Sequence, residues 1–116
     1  MIAVENYLGC LPEEQKVKIR EVVEYIRQKY PNMTESCDYA PKTKFPVFKH
    51  PDAHNYVGIA SQKAYIAIHF GRYHCVSIVA DADSRIMTGV GCAKIPDGVT
   101  FPAENIKRAI DACFES

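Results

Sequence analysis

The longest regular pattern of hydrophobic and polar positions lies between residues 12 and 30. Its apolar positions recur at intervals of one, three and four residues: Ile19, Val22, Val23, Ile26 and Tyr30. This spacing places them on one face of an α-helix, with polar residues on the other. Pro12 suits the first position of that helix, and Pro31 ends it. We therefore predict an amphipathic helix over 12–30, with Leu8 and Leu11 folding back onto its apolar face.

Shorter patterns, typical of β-strands, occupy the middle of the chain. Residues 45–50, 56–60 and 64–70 are rich in β-branched and aromatic side chains, and the interval 61–63 predicts a hairpin. Along 64–70 the residues alternate between two faces, with Ile66, Ile68 and Phe70 on one and Tyr65, Ala67 and His69 on the other. Because the first set is wholly apolar, we expect it to meet the helices, and the second to face solvent or a shallow groove.

The last third of the chain adds three further elements. Residues 72–87 combine strand-like composition with helical spacing, and the spacing favours a helix. Residues 89–95 predict one strand that ends in a turn over 96–98. A final helix opens at Pro102, and its apolar stripe consists of Ile106, Ala109, Ile110, Cys113 and Phe114. The order of elements predicts an α+β fold, in which a mainly antiparallel sheet packs against N- and C-terminal helices.

Chain length and net charge limit the number of domains and the kinds of partner that the chain can have. A chain of 116 residues fits one domain, with 14 basic and 14 acidic side chains that cancel. This balance argues against binding to nucleic acid or to an anionic membrane, which depends on an excess of Lys and Arg. No apolar stretch is long enough to span a bilayer, and residues 1–5 lack the features of a signal peptide. Five widely spaced cysteines predict free thiols in a reducing cytoplasm.

Four short segments, taken in order, resemble one family. These are Tyr7-Leu8-x-x-Leu11-Pro12-Glu13, Asp38-Tyr39-Ala40-Pro41, Gln62-Lys63-Ala64-Tyr65-Ile66 and Gly89-x-Gly91-Cys92-Ala93-Lys94. Together they are similar to the YdhG-like family, also called domain of unknown function 1801. The similarity extends over about residues 5–114. Members often have Met where Ala40 stands and His where Tyr65 stands.

The resemblance implies a single YdhG-like α+β domain over residues 1–116, of intracellular location. It implies no shared set of catalytic residues. Some relatives are described as frataxin-like iron chaperones, which makes iron binding an alternative function. No other cofactor is predicted.

A group of aromatic and polar residues forms the preferred candidate site. It consists of Tyr39, Pro41, Lys63, Tyr65 and His69. Aromatic rings with a few polar tips are typical of a groove that binds a small molecule or a peptide. Half-buried tyrosines also commonly cover the edge of a core, so structural packing is the competing interpretation. We therefore expect a non-catalytic binding or accessory module, with an unidentified ligand.

His50, Asp52 and His54 are the candidate metal ligands of the iron alternative. Imidazole and carboxylate groups bind iron or zinc when they converge with further ligands. Their spacing matches no recognised metal motif, and His and Asp in a turn are usually solvated.

Two further hypotheses are a thiol-dependent enzyme and a homodimer. His69 or His74 could act with Cys75 or Cys92 as a base and nucleophile, which would make the protein a thiol-dependent enzyme. Buried cysteines more commonly behave as small apolar residues. Exposed apolar residues on the second face of the sheet could instead form a homodimer interface.

Overall fold

The computed structural model describes residues 2–38, 44–52 and 55–115, and its centre is a six-stranded sheet. The strands are β1 (Thr34–Ser36), β2 (Val47–Lys49), β3 (Tyr56–Ser61), β4 (Tyr65–Phe70), β5 (Met87–Gly89) and β6 (Cys92–Pro96). Their order across the sheet is β1-β2-β3-β4-β6-β5, and each neighbouring pair is antiparallel. The helices in the described ranges are α1 (Ile2–Gly9), α2 (Glu13–Lys29), α3 (Cys75–Ala80) and α4 (Ala103–Glu115). This architecture confirms the predicted α+β fold.

Helix α2 spans Glu13–Lys29, within one residue at each end of the predicted range 12–30. It begins directly after Pro12, whose φ of −57° is compatible with a helix start. Glu13 and Glu14 lie in its first turn, and Arg27 and Lys29 in its last. Acidic groups at the N-terminus and basic groups at the C-terminus both interact favourably with the helix dipole. These charged residues therefore stabilise the two ends of the helix without interrupting its apolar face.

The hydrophobic core lies between one face of the sheet and the helices. The strands contribute Phe48, Val57, Ile59, Ile66, Ile68, Phe70, Ala93 and Ile95, and the helices contribute Val4, Leu8, Ile19, Val22, Val23, Ile26, Ile106, Ile110 and others. The alternation along β4 is therefore confirmed: its wholly apolar side meets the helices. The burial of these side chains is the main favourable term in folding.

The region predicted as one strand over 89–95 is a hairpin. Strand β5 ends at Gly89 and β6 starts at Cys92, with Gly91 between them at a φ of 72°. A Cβ atom on Gly91 would also lie 2.9 Å from the ring of Tyr73. The prediction of one strand was wrong because Gly91 adopts a left-handed conformation, which reverses the chain.

Two other predictions hold only over shorter ranges. The helix favoured for 72–87 is observed as the six residues of α3, after which the chain turns into β5. The strand predicted over 45–50 is observed as β2, Val47–Lys49. None of the helices in the described ranges is both long enough and apolar enough to cross a membrane.

Candidate functional site

The sheet has a second face, opposite the helices, and we call it the Tyr65 face. The strand registers place on it Val47, Lys49, Gly58, Ala60, Tyr65, Ala67, His69, Cys92 and Lys94. Val47, Ala60, Ala67 and Cys92 are buried, yet they do not belong to the main core cluster. The face therefore consists of a separate layer of small residues, with larger polar and aromatic side chains at neighbouring positions.

Tyr65 and His69 lie at the two ends of this layer on strand β4, with Ala67 between them. Both are half-buried, whereas Ala67 is only 3% exposed. Ala60 of β3 lies directly opposite Ala67 and is 1% exposed. The alanines are therefore closed to solvent, whereas Tyr65 and His69 are each partly exposed.

His69 is held in place by a stacked aromatic ring. The ring centroids of His69 and Phe45 are 5.0 Å apart, with an interplanar angle of 18°. Gly58, opposite His69 in β3, makes the stacking possible, since a Cβ atom there would lie 2.8 Å from Cε1 of Phe45. Burial, and then the charge of Lys94, lower the pKa of His69 below its ordinary value of 6.5. His69 is therefore neutral at pH 7.

Lys94 is the charged member of the face. It lies opposite Ala67 in strand β6, and its Nζ atom is 5.7 Å from the centroid of the Tyr65 ring. This distance is in the range of a cation–π interaction. Because Lys94 also lowers the pKa of His69, its ammonium group influences both polar aromatic side chains of β4.

The predicted site residues are only partly brought together. Tyr65 and His69 share one face, as predicted, and Lys63 is exposed in the turn that precedes β4. Tyr39 and Pro41 lie outside the described residues. Sequence reasoning missed Lys94 and Phe45, because only the pairing of β4 with β6 and the packing of Phe45 over Gly58 bring them here.

The candidate metal ligands lie elsewhere, at a cleft of about 300 Å³ between the end of α2, the end of α4 and the loop after β2. His50 and Asp52 line this cleft with Tyr30 and Phe114, among others. The backbone N–H of Asp52 donates to Nδ1 of His50 at 3.0 Å, so that nitrogen already has a partner. His54 lies outside the described residues. Over 2–38, 44–52 and 55–115 no group of three or more His, Cys, Asp or Glu is placed to hold a metal.

The two candidate nucleophiles, Cys75 and Cys92, lie in different environments. Sγ of Cys75 lies 3.7 Å from Nε2 of His74, but burial, and then the neighbouring Cys113, raise the pKa of the Cys75 thiol to about 11. A thiol held protonated in this way is a poor nucleophile at neutral pH. Cys92 lies directly opposite His69 in the β4–β6 pair and is 7% exposed. The structure therefore places His74 near Cys75 and His69 opposite Cys92, but it does not lower the pKa of the Cys75 thiol.

The comparisons with known proteins support the fold. No family model matches the chain, and none of the curated proteins matches it. A crystal structure of YdhG, a DUF1801 family protein from Bacillus subtilis, is similar with a TM-score of 0.73 and 18% identity. The match covers 96% of this chain and 87% of that chain. The protein therefore has a YdhG-like α+β fold, as the sequence resemblance implied.

Proposed function

We propose that this chain is a non-catalytic binding module that holds a small molecule or a peptide segment on the Tyr65 face. The observation that carries this proposal is the arrangement of Tyr65, His69 and Lys94 around a layer of small buried residues, on the side of the sheet that the helices leave uncovered. Aromatic surfaces supply contact area, and a few polar groups orient a ligand.

The chemistry of the face favours binding over catalysis. His69 lies opposite Cys92, but within the described residues neither a thiol nor a hydroxyl forms a hydrogen bond with His69. A nucleophile and its base normally lie within hydrogen-bond distance of each other. None of the five cysteines forms a disulfide bond, which suits a protein of the cytoplasm.

Native mass spectrometry of protein purified from cells under reducing conditions tests the proposal. We expect an organic adduct on the wild-type chain, and its loss from the variant Tyr65→Ala/His69→Ala. Tyr73→Ala/His74→Ala is the matched control, because it removes the same two residue types from exposed positions outside the face. An adduct kept by the first variant would contradict the site. A bound mass of iron would instead favour the iron-binding alternative, and a bare dimer would favour a self-interface.

A fragment screen by nuclear magnetic resonance covers ligands that are lost during purification. Aromatic fragments should shift backbone signals of 65–69 and 92–94 more than those of the remaining strands. Shifts confined to the cleft beside His50 and Phe114 would place the binding site there and overturn the proposal.

A further inference from the structure

The strands carry a strongly uneven set of charges. In β1–β6 the acidic residues amount to Glu35 alone, and its Oε2 lies 2.9 Å from Nε of Arg27 in α2. Glu35 is therefore turned toward the helices. The Tyr65 face, as far as the described residues define it, carries Lys49 and Lys94 and no carboxylate. The Tyr65 face is therefore cationic at Lys94, although the chain as a whole carries no net charge.

Lys94 differs from three basic residues on the helical side of the molecule, Arg27, Lys29 and Lys107. Ion pairs with carboxylates are formed by Arg27 at 2.9 Å, by Lys29 at 3.0 Å and by Lys107 at 3.2 Å. Within the described ranges Lys94 has no ion pair and no hydrogen bond, and its neighbour is the ring of Tyr65. The three N–H donors of its ammonium group are therefore available to a ligand.

A half-buried cation of this kind is poorly compensated. A cation–π contact at a partly exposed site is a weak interaction, whereas a charge-assisted hydrogen bond between an ammonium group and a carboxylate is a stronger one. A ligand that brings a carboxylate to Lys94 would make the stronger interaction without breaking an existing ion pair. It would also keep the ring of Tyr65 as a contact surface.

We propose that the ligand of the Tyr65 face is a small planar monoanion, an aromatic carboxylate, whose carboxylate binds Lys94 while its ring packs against Tyr65 and His69. The inference rests on the proposed function and adds the chemical class of the ligand. One negative charge is enough, because His69 is neutral at pH 7 and Lys94 supplies the single positive charge between the two rings. A peptide that ends in Phe also presents a carboxylate and an aromatic ring, but the two are not coplanar.

Titration of the full chain with benzoate and with benzamide, its uncharged analogue, tests the charge preference. Binding is followed by nuclear magnetic resonance of the Tyr65, His69 and Lys94 signals. We expect benzoate to bind at least about tenfold more tightly than benzamide, which corresponds to about 1.4 kcal/mol. N-acetyl-Gly-Phe, which like benzoate carries one negative charge, tests a peptide terminus as the source. Tighter binding of this peptide than of benzoate would contradict the planar aromatic acid.

Three variants assign the preference to Lys94. Lys94→Met should reduce benzoate binding to the benzamide level, and Lys94→Arg should preserve it, because the charge is kept. Lys18→Met removes a half-buried lysine from α2, on the helical side of the molecule, and should leave both affinities unchanged. Benzoate should also raise the pKa of His69 in the wild type and in Lys18→Met, but not in Lys94→Met, and circular dichroism checks that each variant is folded.

The outcomes separate this inference from the proposed function. Equal binding of benzoate and benzamide at the Tyr65 face, or unchanged benzoate binding in folded Lys94→Met, would overturn the anion preference and leave the site intact. The absence of shifts at Tyr65 and His69 with millimolar benzoate would overturn the inference. If aromatic fragments also failed to shift these residues, the proposed function would fail with it.

Discussion

The amide of Gln15 donates a hydrogen bond of 2.9 Å to Oδ1 of Asp97, which ties the first turn of α2 to the turn after β6. The same amide group lies 3.1 Å from the carbonyl of Gln62 and 3.2 Å from that of Tyr65. The hydroxyl of Ser61 donates to its oxygen. Gln15 is 4% exposed, so it is a buried polar link between the helix and the β3–β4 turn that precedes the candidate site.

Replacement of Gln15 should therefore destabilise the fold. Gln15→Ala leaves the groups of Ser61, Gln62 and Tyr65 without this partner, and an unsatisfied buried group costs about 1–3 kcal/mol. Urea unfolding should show this loss, whereas Gln28→Ala, at an exposed position of the same helix, should change the free energy of unfolding little. Equal effects of the two substitutions would mean that the hydrogen bonds of Gln15 contribute no net stability.

Gln15 also shows where sequence reasoning succeeds and where it stops. The apolar spacing from Ile19 onward is a local signal, and it sufficed to predict α2 and, by the same logic, the core side of β4. The partners of Gln15 lie 46 to 82 residues away in the chain, and no local pattern connects them. Lys94 was missed for the same reason, since its position beside Tyr65 depends on the pairing of β4 with β6.

The shortest elements were not predicted either, because they lack a repeating pattern. Strand β1 consists of Thr34–Ser36 at the edge of the sheet, and three residues are too few to show alternation. Helix α1 is eight residues long and buries Val4 and Leu8. It is too short to show a repeating apolar pattern, and the sequence predicted only that Leu8 folds back onto α2. Gly91 forms the turn before β6 with a φ of 72°, and a glycine in the sequence does not by itself reveal a positive φ angle.

Asp111 connects the C-terminal halves of α2 and α4 and should make stability depend on pH. It accepts hydrogen bonds of 2.7 Å from both Tyr25 and Tyr30, and Nζ of Lys29 lies 3.0 Å from its other oxygen. Burial by itself would raise the pKa of Asp111, but these three donors outweigh it and hold the pKa below the ordinary value of 3.8. The folded state therefore favours the ionised form.

A lowered carboxyl pKa stabilises the fold above the unfolded pKa, and this stability is lost as pH falls through the folded pKa. Wild-type unfolding free energy should accordingly decrease as the pH drops below 3.8. Asp111→Asn should cost about 1–2 kcal/mol at neutral pH and should flatten that decrease. Asp81→Asn, at an exposed position after α3, serves as the control in the same acid titration. A wild-type slope that persists in Asp111→Asn would assign the acid sensitivity to other carboxyls.

The cysteines should differ in their reactivity toward iodoacetamide. Cys10 is exposed, whereas Cys75 and Cys113 are 0% exposed. With the pKa of Cys75 raised to about 11, only about one part in a thousand of that thiol is ionised near pH 8. Peptide mass spectrometry should therefore show early modification of Cys10 and none of Cys75 until the chain is unfolded. Modification of native Cys75 as fast as that of Cys10 would revive the hypothesis of a thiol-dependent enzyme.

Gly58 controls the stacking of Phe45 on His69, and a single methyl group should disturb it. The Cβ atom of Gly58→Ala would lie 2.8 Å from Cε1 of Phe45, so the ring must move away from the sheet. Burial is the main cause of the lowered His69 pKa, and a displaced Phe45 exposes the imidazole. The pKa of His69, measured by nuclear magnetic resonance, should therefore rise toward 6.5 in Gly58→Ala. Gly98→Ala is the control, because a Cβ atom there meets no atom within 4 Å. An unchanged His69 pKa in folded Gly58→Ala would show that Phe45 does not set the environment of the candidate site.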